Sequence, residues 1–442
     1  MLSRARQLLA LSVLVLCAAA APAAAANKPR LHKLDLVLRD AAMRAPEPQR
    51  VIIQTVPGRR AALRAALQAH GDVVEYEHPT LEAMTAYVHG EDLVALDADR
   101  SVLWVSCDCE VSVCGAPRSR LVKTRASGAK DRTSTQTEPG EIRQLLGLGS
   151  LVTGAGVDVA IIDSGIEPSE DFSDRIKGFW DFTRGGVPRT PYDDYGHGTH
   201  IAGLIGSSGV LSGGKYKGVA PDARLFVFKV LDENGLGKTS TVIRALEYIT
   251  VNNGTFGIDV INLSLGHPIM EPAASDPLVQ AVEAAVRAGI VVVVSAGNND
   301  TNSDTGGIGY AGINSPGNAR SAITAGAADT KHTIVRSDDR VASFSSRGPT
   351  WYDAYAKPDV VAPGVALVAN LPRRSTLATQ YPDLRVDTYY ASLTGTSMAS
   401  AVTTGVVALV LEANRSYNYA GPSFTTNAVK AVIEYTATPL SD

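Results

Sequence analysis

Cysteine, charge and long apolar runs are all scarce in this chain of 442 residues. Four cysteines are too few for a disulfide-built scaffold of this length. Charged residues make up only 19% and the formal net charge is -4, which argues against a dedicated nucleic-acid binder because such proteins are usually strongly basic. Beyond the N-terminus no stretch of 18 apolar residues occurs, so we expect no stable membrane span in the mature protein.

Glycine and apolar residues are well represented. Hydrophobic residues make up 45%, which excludes an intrinsically disordered chain. The 40 glycines follow no G-X-Y period, which excludes a collagen-like helix. At about 150 residues per domain, the length predicts roughly three units, or one large domain with extensions.

The N-terminus has the pattern of a secretory signal peptide. Two arginines precede an apolar run at 8–20, and small residues ending in A-x-A lead to Ala26. We therefore predict a signal peptide over 1–26 and a secreted, extracellular protein, with periplasmic or cell-surface locations also compatible. An uncleaved anchor remains an alternative. A lipoprotein is less favoured because the bulky Leu16 precedes Cys17.

The other three cysteines lie close together, at Cys107, Cys109 and Cys114. Their C-x-C-x4-C spacing matches no common zinc pattern. An exported protein is able to form a disulfide, but three cysteines make one disulfide and leave one cysteine unpaired. The role of these cysteines is therefore open.

Residues 27–114 are predicted to form a small N-terminal domain. Within it, short β-branched runs and two helical spacings alternate in the order strand–helix–strand–strand–helix–strand. That order predicts a ferredoxin-like α+β unit, with its last strand at 101–111. A polar, basic stretch at 115–139 predicts an exposed linker.

Residues 140–442 are predicted to form an α/β domain. Short apolar runs predict strands that are buried on both faces of a parallel sheet, with helices between them. Such alternation predicts right-handed crossovers and a three-layer α/β/α fold with a mostly parallel sheet, whose sites form at the carboxyl ends of the strands. The strands are expected at 157–163, 224–230, 259–265 and 290–296, and the helices at 239–253 and 276–288.

Asp163 ends one of these strands, and two histidines follow in the segment 193–206. Asp163 follows a buried run, where a carboxylate needs a partner, although a turn or capping Asp is the simpler interpretation. His197 is suited to accept a proton near neutral pH, and His200 lies three residues later. A metal pair at these histidines is an alternative, but H-E-x-x-H is absent.

Two further segments add possible catalytic groups. Asn298 follows the most apolar strand, where its amide is able to donate to an oxyanion; otherwise it is a turn residue. Ser397 begins a small-residue helix, where the helix dipole favours an anionic transition state; it also suits a helix N-cap.

Together these segments resemble the signature motifs of the subtilisin-like serine proteases. DSG, HGTHIAG, SAGN and GTSMA occur in the order Asp, His, Asn, Ser, and the order Asp–His–Ser is that of subtilisin. The resemblance covers roughly residues 140–438.

The resemblance implies a serine endopeptidase that uses a triad and an acyl-enzyme intermediate. Ser397 would be the nucleophile, His197 the general base and then acid, and Asp163 the group that orients His197. Asn298 and the Ser397 amide would form the oxyanion hole. His200 resembles a structural histidine of the motif.

The resemblance also implies a cleft for extended polypeptide substrates. Two opposing segments would bind the peptide between them as an added strand. Asn314 is aligned only loosely with the floor of the specificity pocket. The residues assigned to substrate binding are Gly235, Leu236 and Gly237 on one side, Ser264, Leu265 and Gly266 on the other, and Ser295, Ala296 and Gly297 beside the pocket.

By the same resemblance, the N-terminal domain would be a propeptide that assists folding and inhibits the enzyme in an autoprocessed zymogen, with cleavage near 112–139. No cofactor is implied for the chemistry. A structural Ca²⁺ is possible near Asp171, although 207–217 lacks a strong ligand cluster. We expect a monomer. The alternatives are a catalytically silent binding protein of the same fold and a surface-anchored protease.

Overall fold

A computed structural model describes residues 31–44, 47–113, 141–300, 307–418 and 421–440. The predicted signal peptide, the linker and Cys114 lie outside the described residues.

The helices lie largely where the 3.6-residue periodicity predicts them. Helix α2 ends where Gly71 adopts a left-handed conformation with φ of 102°, and α7 begins where the Asp276 carboxylate accepts hydrogen bonds from Leu278 N and Val279 N. The helices are α1 Leu36–Arg44, α2 Arg60–His70, α3 Asp92–Ala98, α4 Ile142–Leu145, α5 His197–Gly206, α6 Thr239–Phe256, α7 Pro277–Arg287, α8 Thr376–Gln380, α9 Thr396–Tyr417 and α10 Thr426–Thr436.

The strands form two main sheets and two smaller ones. They are β1 Gln49–Thr55, β2 Val73–His78, β3 Ala83–Val88, β4 Val102–Cys107, β5 Glu110–Val113, β6 Asp158–Asp163, β7 Ile176–Asp181, β8 Val187–Pro188, β9 Arg224–Lys229, β10 Leu236–Lys238, β11 Val260–Leu263, β12 Leu265–Pro268, β13 Val291–Ser295, β14 Asn314–Ser315, β15 Ile323–Asp329, β16 Arg340–Val341, β17 Val360–Pro363, β18 Leu367–Asn370 and β19 Tyr390–Leu393.

The N-terminal sheet has the order β2-β3-β1-β4, and all its pairs are antiparallel. This is the strand order of the expected ferredoxin-like unit. The prediction of one continuous last strand at 101–111 is wrong, because two strands occur there, β4 and β5. The chain leaves this sheet after Cys107, and β5 pairs instead with β10 and β12 of the larger domain.

The large sheet runs β16-β15-β13-β11-β6-β9-β7-β8, with β17 also paired to β15. Its central pairs are parallel, and antiparallel pairs occur at β8 and β16. This confirms the predicted mostly parallel sheet. The predicted strand 259–265 is split, because β11 ends at Leu263 and β12 then joins β5 in another sheet.

Side chains of β6 alternate between two cores and so separate two helical layers. Val159 and Ile161 pack with α5 and α9, whereas Ala160 and Ile162 pack with α6 and α7. Helix α9 is long and apolar enough to cross a membrane, but 78% of its most apolar window is buried inside the protein. That burial is what a core helix of a three-layer fold requires.

Candidate active site

Asp163 and His197 form a buried pair at the carboxyl end of the sheet. Asp163 is the last residue of β6, and His197 is the first residue of α5. Nδ1 of His197 lies 2.9 Å from Oδ1 and 3.0 Å from Oδ2 of Asp163. The carboxylate is fully buried and the histidine is 5% exposed. Because Nδ1 donates to the carboxylate, Nε2 is left as the basic nitrogen of the ring.

Asp193 holds the turn that leads into α5. Its Oδ1 accepts hydrogen bonds from Ser164 Oγ and Gly196 N, and its Oδ2 accepts from Thr199 N and Oγ1. The carboxylate therefore ties the turn after β6 to the first turn of the helix that carries His197. Asp193 was not predicted from the sequence, because it lies three residues before Gly196, which occupies the N-cap position of α5.

Lys229 is a buried cation beneath the same turn. It ends β9, in register with Asp163, and is 1% exposed. Its Nζ donates to the carbonyl oxygens of Ser164 and Leu231 and to Oδ1 of Asp194, each at 2.7 Å. A buried charge is tolerable with partners of this kind, and here the partners fix the backbone next to Asp163.

His200 lies behind His197 and is fully buried. Its Nε2 donates to the carbonyls of Leu367 and Ala391 at 3.2 and 3.1 Å. Burial, with the nearby His197 as a lesser cause, lowers the pKa of His200 to about 3. The ring is therefore neutral at physiological pH and links α5 to the β18–β19 pair, as a structural histidine would.

Ser397 lies in the first turn of α9 and is 4% exposed. Helices α5 and α9 pack against each other in one core through residues that include Ile201 and Met398. The Ser397 hydroxyl donates to the carbonyl oxygen of Ser264 at 3.1 Å. A buried network joins β11 to α9, because Asn262 of β11 donates to Ser400 Oγ and Thr404 Oγ1 of α9.

Asn298 faces the start of α9 after β13. Its Oδ1 accepts a hydrogen bond from Thr396 N at 2.9 Å, and Thr396 Oγ1 accepts one from Gly297 N at 3.2 Å. The nitrogen of the amide lies beside Gly395, where an added Cβ would come within 3.2 Å of Nδ2. The donor end of the side chain is therefore next to the turn that presents Ser397.

The structure brings together the two segments predicted to bind substrate, with the chain's own β5 between them. Leu236 pairs with Ser112 and Gly237 with Val111 on one side, while Leu265 pairs with Val113 on the other. Gly237 and Gly266 each lie close to the backbone of another segment. A Cβ at Gly237 would lie 2.5 Å from Val230 O, and one at Gly266 would lie 2.3 Å from Ser315 O.

Ser295 ends β13, Ala296 and Gly297 follow it, and all three residues are buried. Gly297 has φ of 112°, and the side chain of Asn314 lies against it, 3.1 Å from where a Cβ would be. Asn299 Nδ2 donates to Asn314 Oδ1 at 2.7 Å. Asn314 thus lies beside this segment, as the loose alignment predicts.

Asp171 does not present the ligand set that a calcium ion needs. Its Oδ1 accepts from Leu211 N at 2.9 Å, and its Oδ2 accepts from Asn370 Nδ2 at 2.6 Å and from the Tyr390 hydroxyl. Calcium is held by several oxygen ligands, whereas these neighbours all turn hydrogen-bond donors toward the carboxylate. The residues around Asp171 therefore do not fit the ion.

Comparison with known proteins agrees with this arrangement. The profile of the subtilase family matches residues 154–442. The chain belongs to the subtilase family. Membership confirms the predicted family and fold class.

Among its subtilase relatives, serine protease AprX of Bacillus subtilis (strain 168) is 40% identical over 305 residues, which are 68% of this chain and 65% of AprX. Subtilisin DY of Bacillus licheniformis is 36% identical over 293 residues, covering 65% of this chain and 86% of that protein. The match thus spans just under two thirds of AprX.

Solved structures agree in fold. A psychrophilic protease, S41, aligns with a TM-score of 0.54 at 27% identity, covering 69% of this chain and 91% of its own. Fervidolysin from Fervidobacterium pennivorans aligns with a TM-score of 0.63 at 21% identity, covering 89% of this chain and 58% of its own.

Proposed function

We propose that this subtilase is a secreted serine endopeptidase, made as a zymogen, that hydrolyses polypeptides with Asp163, His197 and Ser397. The observation that supports the proposal best is the buried Asp163–His197 pair, at 2.9 Å, because His197 begins α5 and α5 packs on the helix whose first turn carries Ser397. A carboxylate that holds Nδ1 of a histidine leaves Nε2 to act as the general base, which is the arrangement that the proposed chemistry needs.

In the proposed mechanism, Ser397 Oγ attacks the carbonyl carbon of the substrate and its proton passes to His197 Nε2. Asp163 holds the ring orientation and stabilises the imidazolium. The imidazolium then gives the proton to the leaving amine. A water molecule attacks the acyl-enzyme by the same route in reverse, which restores Ser397 and releases the carboxylic acid product. These steps use only groups of this chain and water.

The Asn298 amide and the Ser397 backbone N–H are assigned to the oxyanion. The oxygen of the Asn298 amide accepts a hydrogen bond from Thr396 N. This bond fixes the orientation of the amide, whose nitrogen is the donor. Such a side-chain donor contributes about 2.7–4 kcal/mol to transition-state stabilisation, a figure carried over from subtilisin itself.

An extended polypeptide is the substrate that the cleft favours. β10 and β12 offer backbone groups on both sides of a central strand, so binding depends mainly on main-chain hydrogen bonds and is weakly selective for sequence. In the full chain β5 occupies that place, which supports the N-terminal domain as the intramolecular inhibitor. We further propose that the mature enzyme is a monomer.

Covalent labelling tests the nucleophile. The purified wild-type chain should react with a serine-directed fluorophosphonate after maturation, and Ser397→Ala should not react. Ser337→Ala, at an exposed serine, is the matched control and should label fully. An unlabelled wild type that has lost its N-terminal domain would contradict the proposal.

The precursor itself tests the zymogen. Ser397→Ala should accumulate near full length, whereas the wild type should shorten. N-terminal sequencing of the exported Ser397→Ala precursor separates signal-peptide removal near residue 26 from an uncleaved anchor. Shortening of Ser397→Ala in purified form would show that autoprocessing does not occur.

A further inference from the structure

Two histidines and two aspartates of the N-terminal domain converge at one point, away from the cleft. They are His70, Asp72, His89 and Asp92, and one ligand atom of each lies within 4.8 Å of all the others. We propose that these four side chains bind a divalent transition metal ion, with Zn²⁺ as the best fit. The proposal is independent of the protease assignment.

The separations between the atoms are near those of a tetrahedral shell, with Asp72 turning a different oxygen toward each histidine. Metal–ligand distances of about 2.0–2.1 Å place neighbouring ligands of a tetrahedron about 3.3 Å apart. Nδ1 of His70 lies 3.2 Å from Oδ2 of Asp92 and 3.8 Å from Oδ2 of Asp72. Nδ1 of His89 lies 3.5 Å from Oδ2 of Asp92 and 2.8 Å from Oδ1 of Asp72.

The hydrogen bonds within the cluster leave two of its carboxylate oxygens without a donor. The Asp72 side chain is fully buried, and its Oδ1 already accepts from His89 N and lies beside His89 Nδ1. Its Oδ2 is buried with no hydrogen-bond partner, and Oδ2 of Asp92 is in the same situation. Two buried anionic oxygens without donors are costly, and a cation between them removes that cost.

The local backbone holds the ligands before any ion binds. Gly71, with φ of 102°, ends α2, and the N–H groups of Gly71 and Asp72 donate to Gln68 O and Leu67 O. This cap turns Asp72 back beside His70. On the other side Asp92 N donates to His89 O, a turn that places both ligands at the junction of β3 and α3.

The chemistry of the set selects the metal. Imidazole nitrogen and monodentate carboxylate are both common zinc ligands, whereas calcium and magnesium prefer oxygen alone. His70 and His89 are partly exposed, so an ion has an open path from solvent. The ion would tie the end of α2 to the start of α3, in a small domain where such a crosslink adds stability.

Titration of the intact chain tests the site. The full chain carrying Ser397→Ala, with a tag free of histidine, is stripped with chelator and titrated with Zn²⁺ against a chromogenic competitor. We expect about one equivalent to bind with micromolar or tighter affinity. The variants His70→Ala and His89→Ala should each weaken binding by about 100-fold or more, while His32→Gln, at an exposed histidine, should not.

Cobalt and melting temperature give independent readouts. Co²⁺ should produce the visible absorption of tetrahedral coordination, and Zn²⁺ in excess should raise the melting temperature of the N-terminal domain. Asp92→Asn keeps the size of the side chain, and it should abolish both effects while leaving the metal-free circular dichroism unchanged. Equal binding by the histidine variants, or no binding at about 100 µM metal, would overturn the proposal.

Discussion

Ser264 and Ser397 exchange hydrogen bonds across the site. The Ser397 hydroxyl donates to the carbonyl oxygen of Ser264, and the Ser264 hydroxyl donates to the carbonyl oxygen of Ser397, both at 3.1 Å. Ser264 Oγ also lies 3.0 Å from Asn262 Oδ1 and 2.9 Å from Ser400 Oγ. The residue that follows β11 thus fixes the backbone of the proposed nucleophile as well as its resting side chain.

Ser264→Ala should therefore lower kcat more than it changes KM. The substitution removes the hydroxyl that holds the Ser397 carbonyl and leaves buried polar partners unsatisfied, which costs about 1–3 kcal/mol. We expect kcat to fall about 10-fold and the unfolding midpoint to decrease, measured by peptide hydrolysis and thermal unfolding. Ser337→Ala is the control. A change confined to KM would indicate that Ser264 acts on substrate binding alone.

Asn298→Ala should reduce kcat by about 100- to 1000-fold with little change in KM, because an oxyanion donor acts mainly in the transition state. Steady-state hydrolysis of a peptide amide by the matured enzyme measures this. Asn252→Ala, in α6, removes an amide that donates to Tyr248 O within the same helix and should leave both constants unchanged. A purely structural Asn298 would instead lower the amount of folded enzyme at constant kcat.

The parallel sheet was predictable because its strands are continuous apolar runs. β6, β9 and β13 each begin and end within one residue of the predicted bounds, since β-branched residues that are buried on both faces leave a clear signal. β5 was not separable from β4, because nothing in the run of residues shows that its hydrogen-bond partners change at Asp108.

Apart from Asp193, the residues that were not predicted from the sequence are polar groups paired over long separations. Lys229 and Asp194 are 35 residues apart in the chain, and neither has a neighbour in sequence that reveals the pair. The His70 and His89 cluster was missed for the same reason, since α2 and β3 come together only in the folded domain. Motif order located Asp163, His197 and Ser397, but could not locate the groups that support them.

Acid should destabilise the protein through His200. The pKa of His200 is lowered to about 3 in the folded state, below its ordinary value near 6.5. As pH falls below 6.5, His200 becomes protonated in the unfolded chain but stays neutral in the folded chain. The free energy of unfolding is therefore highest above pH 6.5 and decreases as the pH falls toward 3. Protonation would also put a proton on Nδ1, which is buried without a hydrogen-bond partner.

His200→Gln should accordingly flatten the dependence of stability on pH between about 4 and 6.5, even though it lowers stability at neutral pH. Each pH unit in that window should cost the unsubstituted chain about 1.4 kcal/mol more than the variant. Urea unfolding of both chains in the Ser397→Ala background measures this, with His32→Gln as the control. Parallel curves for the His200 variant and its parent would contradict the assignment.

Asp108→Ala should weaken the binding of the N-terminal domain to the protease domain. The buried carboxylate accepts hydrogen bonds from Ser240 N and Oγ at 2.7 Å each, in the first turn of α6, and Arg50 lies 3.1 Å from it. Without it the start of α6 loses its anionic partner. Peptide hydrolysis by the freshly purified Asp108→Ala precursor should begin earlier than in the wild type. Asp40→Ala is the control and should match the wild type, because Asp40 pairs with Arg44 on the solvent-exposed side of α1.

A pair of glycine substitutions tests how tightly α5 must approach β6. A Cβ at Gly198 would lie 2.3 Å from Gly165 O and 2.8 Å from Gly165 N, and both atoms belong to backbone that cannot rotate away. Gly254, in α6, is exposed and has no atom within 4 Å of the same position. Alanine is favoured over glycine in a helix by about 1 kcal/mol, so intrinsic propensity predicts that both substitutions stabilise the protein.

We expect the two variants to change stability in opposite directions. At Gly198 the steric overlap costs about 1–3 kcal/mol or more, which exceeds the gain in helix propensity. The overlap also moves His197 away from Asp163. Gly198→Ala should therefore lower both the unfolding midpoint and kcat. At Gly254 only the propensity acts, so Gly254→Ala should raise the midpoint slightly at unchanged kcat. Thermal unfolding in the Ser397→Ala background and hydrolysis by the active chains measure the two effects. If Gly198→Ala were as stable and active as Gly254→Ala, the close approach of α5 to the turn after β6 would not be what sets the position of His197.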